Sequence, residues 1–99
     1  MLNITTKREG ENLLVRLDGQ LDRLTSPQLY DTLTANLDGV KNLTLDFEKL
    51  DYTSSAGLRV LLATEKEIGK KGRMEIIHVN EMIMDAFEVT GLVDIFNIV

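Results

Sequence analysis

The residues of this 99-residue sequence best placed to do chemistry are the acids and hydroxyls of Asp51-Tyr52-Thr53-Ser54-Ser55-Ala56-Gly57-Leu58. Before them Leu43, Leu45 and Phe47 alternate with polar residues, the period of a strand with one buried face. After them Leu58, Leu61, Leu62 and Ile68 fall on one helical arc. The cluster therefore lies at a strand-to-helix junction. Backbone amides at a helix start are unpaired and carry partial positive charge, so the first turn accommodates an anion such as a phosphoryl group. A serine there can be modified without melting the fold. Taken alone, the Ser54-Ser55 pair reads as a simple helix cap, with either serine open to modification and Thr53 the end of the preceding loop.

Other chemistries find little support. The chain has no cysteine, which removes disulfides, thiolate catalysis and cysteine metal sites together. Its one histidine, His78, has no second histidine and no carboxylate at ligand spacing, and reads as structural; no metal site, cofactor or catalytic residue is expected. Asp22, Asp46 and Asp51 offer acids, yet no base stands beside the serines in sequence and no phosphate-binding loop is present, so an enzyme is not expected. A formal charge of -5 argues against binding nucleic acid directly. No stretch approaches the roughly 20 apolar residues of a membrane span, and Met1 to Arg8 lacks the apolar run of a signal peptide. A cytoplasmic location without membrane insertion is the expectation.

The elements that must position the cluster can be read outward from it. Leu2 to Lys7 and Asn12 to Leu17 alternate as strands, with Glu9-Gly10-Glu11 as a hairpin turn. Ser26 is expected to cap a helix that has Pro27 in its first turn and Leu29, Leu33 and Leu37 along one stripe, ending at Gly39. A third strand covers Asn42 to Phe47. The long helix runs from Ser54 to Lys71 and closes at Gly72, and Met74 to Val79 forms a fourth strand. Asn80 caps a last helix reaching about Val89, with Ile83 and Phe87 on one side and Gly91 at its end. The tail from Val93 to Val99 fits either a short edge strand or a turn of helix. The order β-β-α-β-α-β-α requires parallel crossovers and gives one α/β layered domain over residues 1–99.

Two segments carry a family resemblance. Ser55-Ala56-Gly57-Leu58 is similar to the S-x-G-L pattern of the anti-sigma-factor antagonists of the STAS family, and Leu17-Asp18-Gly19-Gln20-Leu21-Asp22 is similar to their L-x-G-x-L-D segment. The resemblance extends over nearly the whole chain, although the extra terminal helix of some members has no counterpart here. It implies a STAS-like single domain: an α/β fold with a mixed four- to five-stranded sheet and helices packed mainly on one side. It also implies an anti-sigma factor serine kinase that binds the unmodified protein, phosphorylates Ser55 from ATP and releases it, with a PP2C-type phosphatase resetting the cycle. Asp22 would stand near the serine, and Asp22, Ser54, Gly57, Leu58 and Val60 would face the partner. Leu58 fits core or interface, Asp22 fits a turn or cap, and Gly57 fits close helix packing; Val60 falls outside the apolar arc and is expected to be exposed. Phosphate near Asp22, Asp46 or Asp51 would then oppose docking. The competing expectation is a STAS-like scaffold or regulatory subunit of a transport or signalling complex without a phosphorylation cycle.

Overall fold

Alternating apolar residues turn one face of β1 (Leu2–Glu9) and β2 (Asn12–Leu21) inward, and the computed structural model, which describes residues 1–99, pairs them antiparallel from Glu9↔Asn12 to Leu2↔Gly19. Leu13, Val15 and Leu17 are buried and Arg16 and Asp18 are exposed. β2 continues to Leu21 rather than stopping at Leu17. Gly19 makes this possible: at φ +121° it lies so close to the chain start that a Cβ would sit 2.2 Å from the Met1 carbonyl oxygen. Gln20 N–H donates to that same carbonyl at 3.1 Å.

β3 (Asn42–Thr53) pairs parallel with β2 and also outruns its expected end at Phe47. It gains a residue on β2 at two places, since Arg16 pairs with Asp46 but Asp18 with Lys49, and Gly19 pairs with Leu50 but Gln20 with Tyr52. Each bulge breaks the period of two, leaving Glu48-Lys49 and Asp51-Tyr52 as exposed pairs in the middle of a strand.

Between β2 and β3 lies α1 (Ser26–Asn36), with Leu29 and Leu33 buried. Ser26 does not cap it, contrary to the expectation. Thr25 is the cap residue and makes no side-chain cap bond, while the Ser26 hydroxyl turns back to donate to the Asp22 carbonyl. α2 (Ser55–Ile68) ends at Gly69, before Gly72, and its Leu58, Leu61 and Ile68 are buried with Leu62 half-buried. β4 (Arg73–Ile77) pairs parallel with β3 and stops before His78, the one non-glycine residue at positive φ, +60°. The Asn80 side chain caps α3 (Glu81–Thr90) as expected, accepting from Ile83 N–H at 2.8 Å. The tail takes both of its possible forms: a 3-10 turn over Leu92–Asp94, then a two-residue edge strand, β5 (Asn97–Ile98), parallel to β4. Phe96 is its buried anchor, edge-on to Phe87 with ring centroids 5.2 Å apart.

The sheet order is β1-β2-β3-β4-β5. From β2 onward each connection advances one strand in the same direction. Such crossovers are right-handed in nearly all proteins, so α1, α2 and α3 collect on one face. The apolar core agrees, being a single cluster of 22 residues that includes Leu45 and Phe47 from the sheet and Leu33, Leu61 and Phe87 from the helices. The other face is left to Arg16, Asp18, Asp46 and their neighbours.

Candidate functional site

The site begins where β2 and β3 end side by side. Leu21 pairs with Thr53, and Ser54 N–H donates to the Leu21 carbonyl at 2.8 Å, carrying the chain over the strand ends into α2. Ser54 sits in extended backbone as the cap of α2, its hydroxyl oxygen accepting from Gly57 N–H at 3.5 Å and its carbonyl accepting from Leu58 N–H at 3.0 Å. The cap assignment is as read. Ser55 follows as the first helical residue and is exposed. Its hydroxyl therefore stands in solvent beside the unpaired amides of a 14-residue helix, while Ser54 is half-buried and engaged.

Gly57 and Leu58 are buried and present no side chain to a partner; their work is to seat the helix. A Cβ on Gly57 would lie 2.4 Å from Thr53 Oγ1 and 2.7 Å from Leu21 Cγ, so only glycine lets the first turn of α2 rest on the two strand ends. Leu58, 8% exposed, belongs to the core. Val60, expected to be exposed, is half-buried against that core, because the arc covered by the sheet and neighbouring elements is wider than the leucine stripe alone.

Asp22 follows directly on Leu21, so its turn leaves the sheet beside the Ser54 segment. Its Oδ1 accepts from Leu24 N–H at 2.9 Å and Thr25 N–H at 3.0 Å, which makes it the organiser of the loop into α1. The hydrogen bond from the Thr25 backbone holds its carboxyl below the usual carboxylate range; partial desolvation opposes this and the bonds from Leu24 N–H and the Thr25 hydroxyl assist it. Asp46 is not part of this site. It lies seven residues upstream of Thr53 on β3, roughly 20 Å away at the rise of a strand. There it is buried and bonded to His78, its Oδ1 2.8 Å from the imidazole Nδ1. Burial pushes the Asp46 carboxyl up. The hydrogen bonds from His78 and Glu48 N–H, with the charges of His78 and Arg16, outweigh that and leave it lowered. The same hydrogen bond to Asp46 raises the His78 imidazole above its ordinary value. His78 thus has a carboxylate partner that spacing along the chain concealed, because the pair is 32 residues apart and meets only across β3 and β4.

Three exposed apolar side chains stand at this end of the sheet, and the sequence reading assigned none of them to a partner surface. Leu24, in the Asp22 turn, is 84% exposed; Tyr52, beside the end of β3, is 43% exposed; Met82, in the first turn of α3, is 62% exposed. α3 is held to the same end by the Asn80 side-chain amide, which donates to the Leu50 carbonyl at 3.0 Å. The available signal was modest: an apolar residue inside a capped turn, and a tyrosine out of phase with the strand. Open α/β sheets bind their ligands at the carboxyl ends of the strands, the end of the sheet to which these residues belong.

The family model described as STAS domain matches residues 3–99. The anti-sigma-B factor antagonist of Staphylococcus aureus is 31% identical over 99 residues, covering 98% of this chain and 92% of that protein. Among solved structures, an anti-sigma factor antagonist from Mycobacterium paratuberculosis superposes with a TM-score of 0.89 at 22% identity, covering 99% of this chain and 85% of that one. The Bacillus cell fate determinant SpoIIAA in its phosphorylated form gives 0.76 at 20% identity, covering 98% and 91%. No helix is long and apolar enough to cross a membrane.

Proposed function

This chain belongs to the STAS domain family, and from that premise we propose that it is an anti-sigma factor antagonist, docking on an anti-sigma serine kinase while Ser55 is unmodified and leaving it once Ser55 is phosphorylated. The observation that carries the reading is the division of labour between adjacent serines: Ser54 is engaged as the cap and Ser55 is exposed at the first helical position. The kinship with the Staphylococcus aureus antagonist supports the same partner class.

The chain's own part in the reaction is to offer a hydroxyl. Ser55 Oγ takes the γ-phosphoryl group of ATP held by the kinase, ADP departs, and the hydroxyl proton passes to a base of the kinase. No base is needed on this chain, and the proposal assigns it no catalysis of its own.

The product carries about -1.5 to -2 charge at pH 7. At a helix N-terminus that charge is favourable to the helix, so modification leaves the fold standing and changes only its surface. That surface is what a partner covers: Leu24, Tyr52 and Met82 supply apolar contact around an uncharged hydroxyl. Burying a dianion among them without a matching cation costs far more than burying a hydroxyl, and a partner that fits the unmodified surface is expelled. A PP2C-type phosphatase, by hydrolysing the ester, restores docking. The Asp22 carboxylate nearby adds to the negative potential that the phosphate creates.

Intact-mass spectrometry after incubation with anti-sigma kinases and ATP tests the reading. The expected result is one added phosphate, retained in Ser54→Ala and lost in Ser55→Ala, with Ser55→Ala still binding the kinase and Ser55→Asp binding it at least tenfold more weakly. No phosphate with any such kinase would overturn the switch and leave a constitutively docking scaffold.

A further inference from the structure

On the sheet face away from the helices, three donors far apart in sequence meet. Asp46 precedes the first bulge of β3 and Glu48 lies within it, and His78 follows the end of β4; one ligand atom from each lies within 4.8 Å of the others. Asp46 is the anchor, with its side chain 8% exposed and its two oxygens divided between neighbours. Oδ1 faces His78 Nδ1 at 2.8 Å and accepts from Glu48 N–H at 3.0 Å, whereas Oδ2 lies 3.5 Å from Arg16 Nε. The carboxylate is thereby oriented from behind by an arginine that cannot itself bind a cation, while its other oxygen points toward an imidazole and a second carboxylate.

The geometry points to a divalent transition-metal site formed by Asp46, Glu48 and His78, with zinc the cation whose ligand preferences it fits. Imidazole nitrogen with carboxylate oxygens is a zinc donor set, whereas calcium and magnesium take oxygen throughout. A neutral imidazole and two carboxylates carry two negative charges, of which Arg16 already offsets one, so the cation is held by the remaining charge together with the donor set. Arg16 takes the outer-shell role of holding a ligating carboxylate in place. Glu48 and His78 are exposed, so the cation has an entry path and solvent can complete its coordination. Asp18 and Lys49, which line a depression together with Arg16, Asp46 and Glu48, oppose each other in charge.

Such a cation would staple the middle of β3 to the segment that leads from β4 into Asn80 and α3. The inference is independent of the Ser55 switch, since none of its ligands belongs to that end of the sheet. Zinc chloride titrated calorimetrically into the tag-free full chain is expected to bind at one ion per chain and to raise the melting temperature. His78→Asn, chosen because asparagine tolerates positive φ, and Glu48→Gln should each weaken binding by about tenfold or more. Circular dichroism of both variants in metal-free buffer reports that they remain folded, and zinc should shift the His78 ring resonances of the wild-type chain. Absence of saturable binding by the wild type, or binding undiminished by both substitutions, would overturn the assignment.

Discussion

Gly57 stands where the strand ends, the helix start and the exposed Ser55 converge, and its hydrogen atom is all that fits. In Gly57→Ala the new methyl would press into Thr53 Oγ1 and the Leu21 side chain, at 2.4 and 2.7 Å. Overpacking of this kind costs about 1 to 3 kcal/mol, and urea denaturation of the variant should show a loss in that range; unchanged stability would mean that α2 sits less tightly on the sheet than described. Asp22 makes a prediction of a different sort. Its folded-state carboxyl is held below the ordinary value of 3.8 by bonds that exist only in the folded loop. Stabilisation from a depressed carboxyl is fully present above that ordinary value and lost as the pH falls through the folded one. The amide resonances of Leu24 and Thr25 should therefore titrate together at a pH below 3.8, and Asp22→Asn should abolish the step. A midpoint at or above the ordinary value would contradict the turn.

At the scale of elements, the placement of exposed Met82 beside the strand ends depends on how α3 is fastened. Asn80 does two jobs with one amide, its oxygen capping α3 through Ile83 N–H and its nitrogen reaching the Leu50 carbonyl. Asn80→Ala should cost roughly 1 kcal/mol for the cap alone. Because the tie to β3 goes with it, Met82 should lose its fixed position. Asn80→Asp keeps the cap and removes the donor, so the two variants separate helix stability from placement. In kinase binding, Asn80→Asp should fall while its melting temperature stays closer to wild type than that of Asn80→Ala. Equal binding by wild type and both variants would remove α3 from the docking rim.

The whole molecule is a sheet wound in one direction, and that winding separates its two faces and its two ends. Helices cover one face, the acidic and basic residues around Asp46 occupy the other, and the serine end lies beyond the carboxyl ends of the parallel strands. A charge added at Ser55 thus stands in solvent and not in the core. Phosphorylation should leave the far-ultraviolet circular dichroism unchanged, with amide shifts confined to the Asp22 turn, the β3–α2 junction and the start of α3. Shifts spreading through β1 or the middle of β4 would mean that modification reorganises the sheet instead of its rim.

Local chemistry in the chain was enough to determine the order of elements, the junction at Ser54 and Ser55, the cap at Asn80 and the leucine and phenylalanine core, because helix and strand periods and capping preferences act between residues a few positions apart. Three-dimensional pairing alone decided the rest. Bulges in β3 hid its full length by breaking the period of two, and the Asp22 bonds displaced Ser26 from the cap it was expected to make. The pairing of His78 with Asp46 and Glu48 arises only when β4 settles against β3. Val60 and Leu58 show the same limit from the other side: helical phase says which way a side chain points, but its burial depends on what the folded chain brings to cover it.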